Sequence, residues 1–210
     1  MASVTRRTKR TREDRREGIR LRLLEAVEAL HEQGESFAEI SVERVASAAG
    51  VSRSTFYVYF QDKGELLSAW FQEITDELKD VAVQWWALDG DTTRADLHAA
   101  LDRIVRSYQP HMTLMAAVYD TASYDPSVRE LVTEMMGVNV AGLRKHIRKG
   151  QRDGFVDPSL KAEETAAWLM WMAERGFHRL VSGAEPAAVD RLIDAYVSIV
   201  WNTLYAPARR

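Results

Sequence analysis

The stretch Ile40 to Leu67, ISVERVASAAGVSRSTFYVYFQDKGELL, decides the fold. Ser41 is a good N-cap for a short helix through Ala49, and Gly50 supplies the left-handed residue that closes it. Ser52 then caps a second short helix, Arg53 to Tyr59 or Phe60. Asp62 caps a third, with Glu65 three residues on in capping-box spacing. Two short helices joined by a tight glycine turn, with another helix behind them, form the plan of a helix-turn-helix. Such a unit lays its second helix in the DNA major groove.

On a helical wheel Phe56 and Phe60 share one face, and with Val45, Val51 and Leu66 they can fill a small core. Ser54, Thr55 and Val58 then point outward, with Tyr57 and Tyr59 on the flanks. Hydroxyls and a valine on an outward face suit base edges: Val58 can touch a thymine methyl, and Ser54 and Thr55 can donate to or accept from bases. Tyr57, Tyr59, Lys63 and the helix N-terminus at Ser52 are better suited to phosphates. Each has a plainer role available: Ser52 as a cap, Lys63 in solvent, the tyrosines at the edge of the core.

Upstream lies the arm TRRTKRTREDRREGIRLR. Residues 1–22 hold nine Lys or Arg against three acids, whereas the whole chain carries −3, so the remainder is acidic. A chain with one basic end docks on a polyanion by that end. Residues 1 to about 15 are expected to be disordered. A first helix is expected from about Arg16 to Gln33, with Ile19, Leu23, Val27 and Leu30 at helical spacing.

The 210 residues, 46% of them apolar, fit a small head on a larger body, here divided as 1–62 and 63–210. Beyond Asp62 the pattern is helical throughout. One helix reaches about Ala87 and another runs from Thr93 to Tyr108. Pro110 breaks the chain before a segment to Ala122. Asp125-Pro126 opens a helix to about Lys149, Asp157-Pro158 one ending near Val181, and Pro186 one ending near Tyr205. No segment combines period-two alternation with β-branched enrichment, so the chain reads as all-α, with about nine helices.

No apolar run approaches the roughly 18 residues of a membrane span. The basic N-terminus has no apolar signal core, and the absence of cysteine fits a reducing cytoplasm, where a DNA binder would sit on the nucleoid. The five histidines, at 31, 98, 111, 146 and 178, make no metal-ligand spacing, and no phosphate loop or nucleophile elbow occurs. Neither catalysis nor a cofactor is expected.

The last helix carries apolar residues over an arc of roughly 200°, from Val189 and Leu192 to Trp201 and Leu204, about twice what its own core needs. The preceding AAWLMWMA, Ala166 to Ala173, is apolar all round. A second copy of the chain is the simplest cover, and a two-fold dimer suits a palindromic operator. The body's aromatics and methionines offer a pool for an adaptable pocket taking a small apolar ligand: Trp85, Trp86, Tyr108, Met112, Met115, Tyr119, Met136, Asn139, Trp168 and Met172. Any one of them at helical spacing is more often plain core. Glu174 and Arg175 read as a structural ion pair ahead of a ligand anchor.

The run SVERVASAAGVSRSTFYVYFQDKGELL resembles the DNA-binding head of tetracycline-repressor-type (TetR-type) regulators. Ala46, Gly50, Val51, Thr55, Phe56-Tyr57, Tyr59-Phe60, Lys63 and Leu66-Leu67 carry the likeness. The resemblance implies DNA contacts at Ser41, Arg53, Ser54, Thr55, Tyr57, Tyr59 and Lys63, with arm residues such as Arg6, Arg7 and Arg10 reaching the minor groove. MAERGFHRLVSG and VSIVWNTLYAPAR resemble the last two helices of the ethionamide-resistance branch of that family. That likeness implies a homodimer through the last two helices, a greasy ligand channel and release from double-stranded operator DNA by a small apolar effector. Asparagines that contact ligands in that branch correspond to Met170 and Ala173 here, and a tryptophan to Asn139. A regulator or nucleoid-type binder without an effector is the alternative reading.

Overall fold

The computed structural model describes residues 3–35, 37 and 39–209, with side chains except those of 3–14, 31, 32, 77 and 209. Its described residues form nine α-helices and no strand: α1 Ser3–Glu32, α2 Val42–Ala48, α3 Arg53–Tyr59, α4 Lys63–Trp86, α5 Arg94–Tyr108, α6 Met112–Ala122, α7 Pro126–Asp153, α8 Ala162–Gly176 and α9 Pro186–Leu204. A 3-10 turn at Gln109–His111 separates α5 from α6, as Pro110 requires, and a π-helical turn, Phe177–Val181, extends α8.

Two expectations are corrected. The arm is helical from Ser3, well before Arg16. No proline or glycine precedes Gly18, Arg, Lys and Glu favour helix, and the arm only extends a helix whose later turns are anchored in a core, so no separate nucleation is needed. Second, Asp157-Pro158 does not open α8. The Asp157 carboxylate instead accepts from the Ser159 amide at 2.8 Å and hydroxyl at 2.7 Å, closing a local turn, and α8 starts at Ala162. The same device works as expected at Asp125, whose carboxylate accepts from Ser127 and Val128 at the start of α7. The Ser127 hydroxyl, followed by these amides, holds the Asp125 carboxyl below its ordinary range.

The chain forms two compact units, 1–72 with 117–129, and 73–116 with 130–210, the boundaries falling inside α4, α6 and α7. In the first, Leu23, Val27 and Leu30 of α1 are buried with Val45, Phe56, Phe60, Leu66 and Leu67, whereas Ile19 and Val51 are only half-buried. Burying a side chain of this size stabilises by about 1.5–3 kcal/mol.

In the second unit α5 packs on α9, burying Leu97, Leu101 and Val105 and, from α9, Val189, Ile193, Val197 and Val200. Polar links run along the rim of that pair: Arg94 to the Ser198 hydroxyl at 2.5 Å, His98 to Asp194 at 3.1 Å and Arg106 to Asp190 at 2.7 Å. The Tyr196 hydroxyl donates to the Leu169 carbonyl at 3.0 Å and so ties α9 to α8; burial raises its ionisation well above that of a free phenol. No described helix is long and apolar enough to cross a membrane.

Candidate nucleic-acid interface and body site

The turn that aims α3 is built locally. Ser41 accepts from the Arg44 amide at 3.1 Å and caps α2. Gly50 has φ +65°, and the Val51 amide closes the turn on the Ala46 carbonyl at 2.9 Å. Ser52 then accepts from the Thr55 amide at 3.0 Å, with its hydroxyl oxygen 2.8 Å from those of both Ser54 and Thr55. The three hydroxyls therefore form one cluster at the N-terminus of α3, where backbone N–H groups favour anions.

The rest of α3 divides by period. Phe56 is fully buried, edge-on to Tyr57 and 5.7 Å from the Phe60 ring. Val58 is 69% exposed and Tyr57 45%, on the outward side with Ser54. Thr55 and Tyr59 are half-buried. Arg53 reaches back to Glu43 of α2 at 2.5 Å and lies over the Tyr57 ring at 5.5 Å, so its guanidinium is held beside α3.

Lys63 sits differently from a solvated lysine. Its Nζ donates to the carbonyls of Phe37, at 2.8 Å, and Ile40, and stands 5.0 Å from the Phe37 ring centre. Desolvation lowers its basicity. The side chain thus fastens the α1–α2 connection to the start of α4. Sequence gave no sign of this, because the two carbonyls lie 23 and 26 residues away. The side chains of Arg6, Arg7 and Arg10 lie outside the described residues.

In the body, Trp85, Tyr108, Met112, Met115 and Met136 are buried, and Trp86, Tyr119 and Asn139 are half-buried. Tyr119 belongs to the first compact unit and the other nine of the pool to the second. Trp168, 78% exposed, and Met172 lie on an outward strip of α8 with Trp171, so the chain itself does not enclose them. Trp85 is engaged structurally: its Nε1 donates to the Tyr205 hydroxyl at 3.2 Å. The structure adds neighbours that sequence did not group, with the Tyr108 ring 5.7 Å from Phe177, and Phe177 6.3 Å from Tyr196. Glu174 is buried on α8, and its contact with Arg175 is a loose 3.7 Å.

A capped, outward-facing second helix behind a glycine turn, joined to a helical body, defines a helix-turn-helix DNA-binding transcriptional regulator. Comparison with known families agrees. Residues 23–70 match the bacterial regulatory proteins of the tetR family, and residues 97–206 match the C-terminal domain of the transcriptional regulator EthR. The chain belongs to the TetR family of bacterial regulators, with a body of the EthR type.

It is 29% identical over 207 residues to the HTH-type transcriptional regulator EthR of Mycobacterium tuberculosis H37Rv, covering 97% of this chain and 94% of that protein. To EthR of Mycolicibacterium smegmatis it is 26% identical over 173 residues, 80% of this chain and 78% of the relative. Among solved structures, a transcriptional regulator of Saccharomonospora viridis in complex with choline shares the fold, with a TM-score of 0.67 and 18% identity over 89% of this chain and 97% of that one.

Proposed function

We propose that this regulator works as a two-fold dimer that places its two α3 helices in successive major-groove turns of a palindromic operator, about 34–36 Å apart. The observation that carries this is the outward side of α3, which leaves Ser54, Tyr57 and Val58 facing solvent behind a fully made core. In this reading Val58, Ser54 and Thr55 meet base edges. Ser41, Ser52, Arg53, Tyr57 and Tyr59 hold phosphates, and Lys63 adds its charge from the first turn of α4. The regulator would act at the nucleoid, in the cytoplasm.

The dimer forms through α8 and α9. Trp168, Trp171, Met172, Leu180 and Ile199 are exposed on the single chain. Exposed apolar residues of this size, two tryptophans among them, mark an association surface more often than a solvated one.

A small apolar effector binds in the body against Tyr108, Met112, Met115 and Met136, and favours a body conformation that no longer holds the two heads at operator spacing. A regulator that shares the fold was solved in complex with choline, which supports a small-molecule effector without locating it. Effector and operator then weaken each other's binding reciprocally. The test is footprinting on the chain's own promoter region, with lipophilic compounds titrated in. A protected palindrome that is lost on ligand addition is expected. Protection without sequence preference, or protection that no compound changes, would refute it.

A further inference from the structure

We infer that the effector this body takes is a cation, an alkyl ammonium ion, with the Glu174 carboxylate as its counter-ion beside the Tyr108, Phe177 and Tyr196 rings. This rests on the reading that the body binds a small-molecule effector; it keeps that effector's apolar chain and gives it a charged head.

Glu174 is 6% exposed, and neither carboxylate oxygen has a hydrogen-bond partner among the described residues. The cation that approaches it is Arg175, whose Nε lies 3.7 Å from Oε2. That is beyond hydrogen-bond range, and the Arg175 side chain is 58% exposed, where water screens it. A carboxylate removed from water is costly unless donors or a cation meet it.

The position of Glu174 says what that partner would find. It follows Met170 by four residues and precedes Phe177 by three, so the three share one side of the helix. Phe177 opens the π-helical turn, a device that recurs at functional sites. Its ring gathers those of Tyr108 and Tyr196 at 5.7 and 6.3 Å, while the Tyr196 hydroxyl is already committed to the Leu169 carbonyl. Ring faces attract cations. Together with a carboxylate they select an ammonium over an alcohol, and reject an anion.

The experiment compares octylammonium, octanol and octanoate, three probes with one chain and three charges, against the full-length protein at pH 7. Calorimetry gives affinity, and retardation of the operator fragment is read in parallel. Octylammonium is expected to bind about tenfold tighter than octanol, with octanoate weakest. Glu174→Gln should bring octylammonium and octanol to within about twofold, with an unliganded melting midpoint no lower than wild type. The charge it removes belongs to a buried carboxylate whose oxygens accept no hydrogen bond among the described residues and whose cation stands off at 3.7 Å in solvent. Arg175→Ala should leave octylammonium binding intact or tighter.

Equal binding of all three probes, no binding by any, or a Gln variant that melts lower or fails to fold would each overturn the assignment. If octanol releases the operator as well as octylammonium does, the effector reading stands and the cation site falls. If octylammonium binds with the expected preference while the operator stays bound, the site stands and the effector reading falls.

Discussion

Inside the body, the Nε2 atom of His146 stands 2.8 Å from the Tyr205 hydroxyl oxygen, joining the middle of α7 to the end of the chain's last helix. The contact is part of a network. His146 Nδ1 is 3.2 Å from the Trp86 carbonyl, and the Tyr205 hydroxyl also accepts from Trp85 Nε1 at 3.2 Å. These partners assign the tautomer: Nδ1 carries the proton and donates to the carbonyl, while Nε2 accepts from the tyrosine. Burial, above all, lowers the imidazole's basicity below the usual 6.5, so the native state keeps it neutral.

That arrangement makes stability depend on pH. Above about pH 6.5 the contribution of His146 is complete. As pH falls below that value the unfolded chain takes up a proton that the folded chain refuses, and stability is lost. The urea midpoint should decline between pH 7.5 and 5.5, and less steeply in His146→Gln. Equal slopes in the two proteins would contradict the burial argument.

Tyr205→Phe removes the hydroxyl that both His146 and Trp85 use, and leaves those groups unpaired in the interior. A loss of about 1–3 kcal/mol is expected. Urea denaturation at pH 7.5 measures it, and a change under half a kcal/mol would mean that the network contributes little.

For the head, Lys63→Met should lower thermal stability, because the carbonyls of Phe37 and Ile40 lose their donor; the partly exposed site limits the cost to about 1–2 kcal/mol. An unchanged midpoint, with the salt slope of DNA binding reduced by about one, would instead make Lys63 a phosphate contact and nothing more.

Gly50→Ala places a side chain at φ +65° with nothing within 4 Å of the new Cβ, so its effect is backbone strain alone, about 1–2 kcal/mol. Gly50→Asn should cost less, since asparagine tolerates that region. Comparing their melting curves separates strain from crowding: equal losses would contradict the assignment.

Trp168→Glu tests the association surface without touching the core. Because the residue is so exposed on the single chain, folding should be unaffected in the monomer, while light scattering shows dissociation and operator affinity falls at least tenfold. A variant that remains dimeric and fully active would move the interface elsewhere.

Much of this was legible in the chain. Caps and glycine turns are local signals, so Ser41, Gly50, Ser52 and Asp125 could be given their roles from spacing. The outward placement of Val58 and the burial of Phe56 followed from helical period alone. Where local signals compete, reading failed: Asp157-Pro158 looks like Asp125-Pro126, yet its carboxylate is taken by Ser159 in a separate turn. Trp168 and Met172 were grouped with Met136 as pocket candidates because composition cannot tell an outward apolar face from an inward one.

Sequence by itself determined the all-helical order, the capped recognition helix and the family, since each depends on residues within a few positions of one another. Only the tertiary structure decided what distant residues do. Lys63 is turned onto carbonyls far upstream, and His146 is placed against Tyr205. Gly142 lets the Trp86 ring lie against α7, since a Cβ there would stand 2.7 Å from the tip of that ring and displace it. Glu174 and Arg175 meet only loosely, at 3.7 Å, because neighbours in sequence project about 100° apart on a helix, Glu174 buried and Arg175 exposed.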